Sequence, residues 1–268
     1  MRVSALLTCF NRKAETLDCL QRIFAQNLPK GARLQIVLVD DGSTDGTSEA
    51  VLSSFPEVRI IGGDGSLFWC GGMRRAWQEA ALDQPDYFLL VNDDTLLEAS
   101  ALENLLALAP TPDHLVIAVG AICDAETAVP TYGGIARKSG NMSAPNGEPA
   151  KCDTFNANAV LIPRAVHARQ GILHHAYTHG MGDFDYGFQA SRRGIKIIQT
   201  GGFVGTCSRN SDKGTWRDTS LTRRERWSLI RSPKGLPFRE WLVFNYRNIG
   251  WSWPVKTISP YIRVLLGL

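Results

Sequence analysis

The sequence predicts an α/β fold built around a doubly wound, mostly parallel central sheet. Short apolar strands alternate with helical patterns through the first half of the chain, and the links between them are short. Polar loops follow three of these strands, and the carboxyl ends of parallel strands meet at one edge of a sheet. These observations together predict a ligand site at that edge.

The first half alternates regularly. Strands are predicted at residues 3–10, 35–39, 58–61 and 87–91. Helices are predicted at 15–27, 73–82 and 96–108, and a further helix follows a cap at 43–45 and ends at residue 53. The second half predicts strands at 115–119, 158–162 and 195–198, a helix at 182–193, and a surface excursion at 124–153 that resembles a hairpin. We therefore expect one domain at 1–215 and a basic, aromatic, helical tail at 216–268.

Composition excludes several classes of protein. With 44% hydrophobic and 21% charged residues the chain is globular, and a net charge of +3 gives no argument for nucleic-acid binding. The six cysteines form no CxxC pair, which is typical of reduced thiols rather than a disulfide framework. The first residues lead directly into a strand, and no apolar run reaches the roughly 18 residues of a membrane span. These features predict a cytoplasmic protein.

The segment Asn92-Asp93-Asp94 follows the most apolar of the predicted strands, residues 87–91. Carboxylate and amide oxygens at a strand end suit a hard divalent cation, which in turn can bind a diphosphate. The alternative is a polar turn that caps the next helix. The loops at 8–12 and 40–45 fall on the same edge, and neither a GxGxxG motif nor a P-loop is present.

Four segments carry a resemblance to a known family: LLTCFNR at 6–12, VDDGSTDGT at 39–47, the strand with NDD, and GDFDYGFQASRRG at 182–194. Together with FNANAVLIPR at 155–164 they resemble family 2 glycosyltransferases of the GT-A fold, most of all bacterial rhamnosyltransferase-type enzymes of surface polysaccharide synthesis. The resemblance implies a nucleotide-sugar-binding half at 1–110 and an acceptor half at 111–215.

The resemblance also implies roles for the donor site. Thr8, Phe10 and Arg12 would line the nucleobase pocket, and Asp41 would accept a hydrogen bond from the base N3–H. A pyrimidine offers that donor, so UDP or dTDP is expected. The alternative for Asp40 and Asp41 is turn chemistry before a glycine.

Further donor contacts are expected from the NDD motif and the helix at 73–82. Asn92 would face the ribose, Asp93 would belong to the same donor-binding set, and Asp94 would bind Mg²⁺ or Mn²⁺. Arg74 or Arg75 would contact phosphate, because guanidinium groups bind phosphate well. Their alternative is a solvated helix face.

The catalytic base of an inverting transfer is a carboxylate that takes the proton of the acceptor hydroxyl. The resemblance implies Asp183, although relatives usually carry Glu-Asp where this chain has Gly182-Asp183, and this leaves Asp185 as the second candidate. Both acids also suit the N-terminus of the predicted helix.

Histidines near the expected site give a weaker signal. His174, His175 and His179 fit no zinc spacing and instead suggest an acceptor loop. Relatives often place a metal-binding His near residues 203–208, where this chain has none. Cys207 or a water would then complete the metal site.

We therefore expect an inverting glycosyltransferase that moves a sugar from UDP or dTDP to a glycan or lipid-linked acceptor. The alternatives are a sugar-nucleotide pyrophosphorylase, which would need a Gly-rich basic loop after the first strand, and a non-catalytic nucleotide-sugar-binding subunit.

The tail is basic and rich in Trp, and residues 232–237 break it into two helical pieces. This composition predicts peripheral association with the anionic inner face of the cytoplasmic membrane. The alternative is that the aromatic residues pack the tail against the domain or against a second subunit.

Overall fold

The computed structural model describes residues 1–137, 140, 142 and 144–268, and it confirms the predicted α/β fold. The first half contains seven elements: β1 (Arg2–Cys9), α1 (Lys13–Phe24), β2 (Arg33–Asp40), α2 (Thr47–Ser54), β3 (Arg59–Gly62), α3 (Phe68–Ala81) and β4 (Tyr87–Val91). Their strands lie in the order β3-β2-β1-β4, and every neighbouring pair is parallel. The carboxyl ends of these strands therefore share one edge.

The second half extends the same sheet with mixed pairing. Its elements are β5 (Leu96–Leu97), α4 (Ala101–Leu108), β6 (Val116–Cys123), β7 (Pro130–Tyr132), β8 (Gly134–Ile135), β9 (Ala150–Cys152), β10 (Thr154–Phe155), β11 (Ala159–Pro163), α5 (Arg164–Gln170), α6 (Gly182–Arg192) and β12 (Lys196–Thr206). β11 runs antiparallel between β4 and β6, and β12 runs parallel to β6. β8 and β10 form a separate two-stranded sheet.

Several elements differ from the sequence prediction. The helix expected from residue 96 begins at Ala101, because Leu96 and Leu97 instead pair as β5 with the end of β12. The excursion at 124–153 contributes β7 and β9 to the main sheet, whereas its residues 138, 139, 141 and 143 lie outside the described residues.

The core has two layers, one on each face of the sheet. One face packs against α1, α2 and α4, and the other packs against α3, α5 and α6. Trp77 of α3 is fully buried between Phe88 of β4 and Tyr186 of α6, with ring centroids 5.5 Å away in both cases. Large aromatic side chains bury much apolar area, so this contact fixes α6 against the sheet.

The tail contains three helices rather than the two predicted: α7 (Arg223–Arg231), α8 (Phe238–Asn248) and α9 (Trp253–Leu266). A capping box of Thr222 and Glu225 starts α7. α8 packs on α6, and α9 packs on α7 and α8. Among the described residues, no helix combines the length and apolar character needed to cross a membrane.

Candidate active site

The carboxyl ends of β1, β2 and β4 surround a cavity of about 260 Å³. Predicted donor-binding residues form one part of its lining: Thr8, Phe10, Arg12, Asp41 and Asp93. Residues for which no donor-site role was predicted form the rest: Cys9, Gly65, Phe68, Trp69, His179 and Lys234. A cavity of about 280 Å³ at the opposite edge of the sheet is lined by none of the predicted site residues.

Asp41 organises the glycine-rich loop that forms one wall of the cavity. Its Oδ1 accepts hydrogen bonds from the backbone N–H of Gly65 at 3.0 Å and of Leu67 at 3.2 Å, and its Oδ2 accepts from Phe68 N–H at 2.8 Å. A Cβ on Gly63 would lie 2.5 Å from Asp41 Oδ1, so only glycine allows the loop to wrap so closely. The carboxylate is held rigidly and keeps lone-pair capacity on Oδ2 for a further donor.

Arg12 bridges the two acids of the NDD motif. Its Nη1 lies 3.1 Å from Asp93 Oδ1, and its Nη2 lies 3.0 Å from Asp94 Oδ2. Burial raises the pKa of Asp93 to about 7 despite this neighbouring cation, and Asp93 Oδ2 is buried without a hydrogen-bond partner among the described residues. A buried carboxylate oxygen without a hydrogen-bond partner lowers the stability of the fold, so this oxygen is a candidate acceptor for a bound ligand.

Asn92 does not line the cavity but contacts Trp69, which does. Its Oδ1 accepts a hydrogen bond from Trp69 Nε1 at 2.8 Å, and its carbonyl accepts from the Cys19 thiol. The side chain is thus oriented by Trp69, which itself lines the cavity. This contact ties α3 to the end of β4.

Asp94 has the donor set expected of a ligand for a hard cation. Only its Oδ2 is engaged by Arg12, while its Oδ1 accepts a weak hydrogen bond from Cys207 Sγ at 3.4 Å. Burial raises the pKa of Cys207 to about 12, so this side chain is a neutral thiol. The described residues contain no group of three or more His, Cys, Asp or Glu that would hold a metal ion. The arrangement therefore fits a cation held by one carboxylate and by the ligand's own oxygens.

Asp183 lies in the first turn of α6 and has no ion-pair partner among the described residues. Its Oδ1 accepts from Phe184 N–H at 2.8 Å, and its Oδ2 accepts from Ala157 N–H at 3.2 Å. Burial raises the pKa of Asp183 to about 6, although these hydrogen bonds act in the opposite direction and lower it. A carboxylate with a raised pKa and without a counterion is well suited to accept a proton near neutral pH.

Asp185 lies in a different environment. Its carboxylate is buried and forms a two-point contact with Arg247 of α8, at 2.9 Å to Nε and 3.1 Å to Nη2. Asn248 Nδ2 also donates to it, at 2.8 Å. Asp185 thus anchors the tail to α6, and its oxygens are already occupied.

Arg74 is not brought to the cavity. Its Nη1 donates to the carbonyl oxygens of His174 at 3.2 Å and of Tyr177 at 2.6 Å, so the guanidinium holds the loop before α6. Because these contacts hold the guanidinium at the loop, Arg74 does not line the cavity, and the structure gives no support for the phosphate contact predicted for it.

The sequence profile described as glycosyl transferase family 2 matches residues 4–158, more than half of the chain. The chain belongs to glycosyl transferase family 2. This membership makes it a nucleotide-sugar-dependent glycosyltransferase and favours sugar transfer over the two alternatives raised from the sequence. A search of curated proteins found no match.

Solved structures of glycosyltransferases share the fold. S. aureus TarS 1–349 has a TM-score of 0.58 at 13% identity, covering 98% of this chain and 81% of its own. Mannosyltransferase PcManGT from Pyrobaculum calidifontis, in complex with GDP-Man and Mn²⁺, has a TM-score of 0.57 at 17% identity, covering 99% and 75%. GalNAc-T7 with UDP, GalNAc and Mn²⁺ has a TM-score of 0.60 at 12% identity, covering 84%, and the chain spans about half of its length.

Gly182 of this family 2 chain, which precedes Asp183, is packed closely against α3. A Cβ on Gly182 would lie 2.5 Å from the sulfur of Cys70, which is buried and hydrogen-bonded to the carbonyl of His179 at 3.0 Å. The space beside Gly182 is therefore occupied by the Cys70 thiol, which leaves no room for a larger side chain unless Cys70 moves. Asp183 keeps its place at the start of α6.

The histidines of this family 2 member near the site lie in different surroundings. His174 and His175 stack on each other with ring centroids 4.4 Å apart, whereas His179 lines the donor-side cavity. Burial, and then the positive charge of Lys234, lower the pKa of His179 to about 4, so its ring is neutral. Neither His179 nor Lys234 was predicted to line the donor cavity, because both reach it from segments far from the strand-end motifs.

Proposed function

We propose that this chain is an inverting glycosyltransferase with Asp183 as its catalytic base. The observation that carries the proposal is the contrast between two acids on α6: Asp183 has no counterion among the described residues, and its pKa is raised to about 6, whereas Asp185 is bound to Arg247. Asp183 is also tied to the donor side, because Ala157 N–H binds it and the next residue, Asn158, donates to Thr95 beside the NDD motif.

The reaction follows from this placement. The acceptor hydroxyl oxygen attacks the anomeric carbon of the donor sugar, its proton passes to Asp183, and the bond from that carbon to the diphosphate oxygen breaks. Arg12 lies beside the motif acids and is positioned to bind the departing diphosphate. A divalent cation on Asp94, either Mg²⁺ or Mn²⁺, would supply charge neutralisation for that leaving group when bound.

The donor of this reaction is proposed to be a UDP- or dTDP-sugar. Phe10 is about half exposed, at 49%, at the mouth of the cavity, where an aromatic ring can stack on a base. Asp41 lies on the same wall with lone-pair capacity left for an imide N–H, which uracil and thymine both offer. Thr8 packs beneath them, and a Cβ on Gly72 would clash with its hydroxyl, so α3 approaches the base site closely.

A donor screen tests this function directly. We expect UDP- or dTDP-sugars with Mn²⁺ to raise the melting temperature, because a ligand that binds only the native state stabilises it by about 2.7 kcal/mol at a hundred times its Kd. The same donors should release nucleoside diphosphate when acceptor is present. Stabilisation by GDP-sugars alone would contradict the base assignment, and absence of any donor effect would contradict the function.

The acceptor is proposed to be a glycan or a lipid-linked glycan of a bacterial surface polysaccharide, with the enzyme bound peripherally at the inner face of the cytoplasmic membrane. Support comes from α9, whose apolar side chains alternate between a buried face and an exposed face. Val255, Ile258, Ile262 and Leu265 are between 47% and 70% exposed. The helix also carries Lys256 and Arg263 and no acid, which suits an anionic surface.

Liposome co-sedimentation tests this location. We expect binding to anionic vesicles that weakens as salt rises, and loss of binding in the variant Val255→Ser/Ile258→Ser/Ile262→Ser. Leu52→Ser on α2 is the matched control, because Leu52 is similarly exposed, at 52%, outside the tail. Substitution is preferable to deletion, since α8 is part of the packing around α6. A dimer that dissociates in the triple variant, without vesicle binding by the wild type, would assign this face to a second subunit instead.

A further inference from the structure

The turn between α7 and α8 reaches the donor cavity although it belongs to the tail. Lys234, in this turn, lines the cavity together with His179, Phe68 and Trp69. The family profile ends at residue 158, so this part of the wall is supplied by a segment outside the matched region. The cavity is therefore completed by the tail.

The turn has a fixed backbone. Gly235 N–H donates to the carbonyl of Ser232 at 2.9 Å, which closes a four-residue turn with Pro233 in the second position, where its restricted φ is favourable. A Cβ on Gly235 would lie 2.2 Å from the carbonyl oxygen of Leu229, so the turn packs directly on the end of α7. Lys234 is consequently held at the third position of a rigid turn.

The charges around the cavity leave Lys234 available. Arg12 is engaged by Asp93 and Asp94, and Asp41 is bound by three backbone N–H groups. Within the described part of the chain, no carboxylate lies within ion-pair distance of Lys234. A residue that lines the cavity therefore carries an ammonium that has no carboxylate partner among the described residues.

The neighbouring histidine points to the same kind of ligand. Nδ1 of His179 is buried and has no hydrogen-bond partner in the described structure. Its ring is neutral and lies beside Lys234, and a neutral imidazole carries one N–H that can donate to an anion. An ammonium and a neutral imidazole on the same part of the cavity wall are compatible with bound phosphate oxygens.

We propose that Lys234 is a donor-binding residue that contacts the diphosphate of the nucleotide sugar. The proposal rests on the function proposed above and deepens it, because it makes the tail a part of the donor site. Lys234 supplies the positive charge that Arg74, held by its loop carbonyls, does not bring to the cavity. A lysine binds phosphate as a mobile point charge, so arginine at this position should retain part of the contact.

Calorimetric binding of free nucleotides tests the proposal. The probes are uridine, UMP and UDP, or the thymidine series if the donor screen selects it, with wild type, Lys234→Gln and Lys234→Arg. We expect Lys234→Gln to weaken UDP binding about tenfold while uridine binding stays within twofold, because the variant loses one charge-assisted contact to phosphate, which solvent exposure of Lys234 weakens. Lys234→Arg should lie between the two, and raising salt should shrink the difference.

Lys213→Gln is the matched control, because Lys213 is an exposed lysine outside the cavity lining. Thermal unfolding of all variants should be unchanged. Equal UDP affinity in Lys234→Gln and wild type would overturn the proposal, as would an equal loss for uridine and UDP or a loss confined to the sugar nucleotide. Failure of wild type to bind any nucleoside diphosphate would overturn the proposed function as well.

Discussion

Asp183→Asn is expected to lower kcat by a hundredfold or more while leaving the donor Kd within about twofold. The change is nearly isosteric, and it removes the atom that takes the acceptor proton. The donor cavity is lined by other residues, so binding should survive. Steady-state kinetics and calorimetric donor binding on the same preparation separate the two effects.

The pH profile gives a second readout of the same variant. Asp183 acts only when ionised, and its pKa is raised to about 6, so wild-type kcat/KM should rise with pH to about 6 and then level off. Asp183→Asn should lack this acidic limb. A limb that persists in the variant would assign the titration to another group.

Asp185→Asn is the control for this experiment. It weakens the two-point contact with Arg247, so we expect a lower melting temperature with transfer largely retained at temperatures where the protein stays folded. If Asp185→Asn is the inactive variant and Asp183→Asn turns over normally, the base assignment is wrong by two residues.

Some features of the fold were predictable because their signals are local. The apolar run at 87–91 and the acids after it are adjacent in sequence, and the structure has a buried strand over the same five residues. The late strand was predicted too short, at 195–198, because Gly201 and Gly202 interrupt the apolar pattern. In the structure β12 continues to Thr206 with two register shifts, and Gly201 allows close approach of the Gly147 carbonyl.

The tail shows how a tertiary contact overrides a local rule. Pro260 lies inside α9, where a proline removes the hydrogen bond to the carbonyl four residues earlier. That carbonyl, of Lys256, instead accepts from Trp241 Nε1 of α8 at 3.2 Å. The sequence gives no sign of this compensation, because the partner lies on another helix.

The residues of the candidate site were likewise predictable only where the signal is local. Acids and aromatic residues at strand ends were identifiable, since topology alone places them together. The folding of distant segments brings three further residues to the cavity lining, namely His179, Lys234 and Trp69. Arg74 is absent from the lining because its guanidinium binds the carbonyl of Tyr177. The distinction between Asp183 and Asp185 also required the structure, because it depends on an arginine 62 residues away from Asp185.

The second large effect is expected at the NDD motif. Asp94→Ala should lower transfer about a thousandfold or more, because a cation that neutralises a leaving group stabilises the transition state by several kcal/mol. The fold should remain intact, since Arg12 keeps its contact with Asp93 in this variant. EDTA should inhibit the wild type, and titration with Mg²⁺ or Mn²⁺ should restore activity.

Cys207→Ala is the matched control for the metal site. A neutral thiol 3.4 Å from Asp94 Oδ1 is a poor ligand for a hard cation, so this variant should keep most of the activity and the same preference between Mg²⁺ and Mn²⁺. Loss of activity in Cys207→Ala together with a changed metal preference would instead make the sulfur a ligand. Full turnover by Asp94→Ala, or indifference of the wild type to chelator, would remove the metal from the reaction and leave only side-chain cations, Arg12 among them, to neutralise the leaving diphosphate.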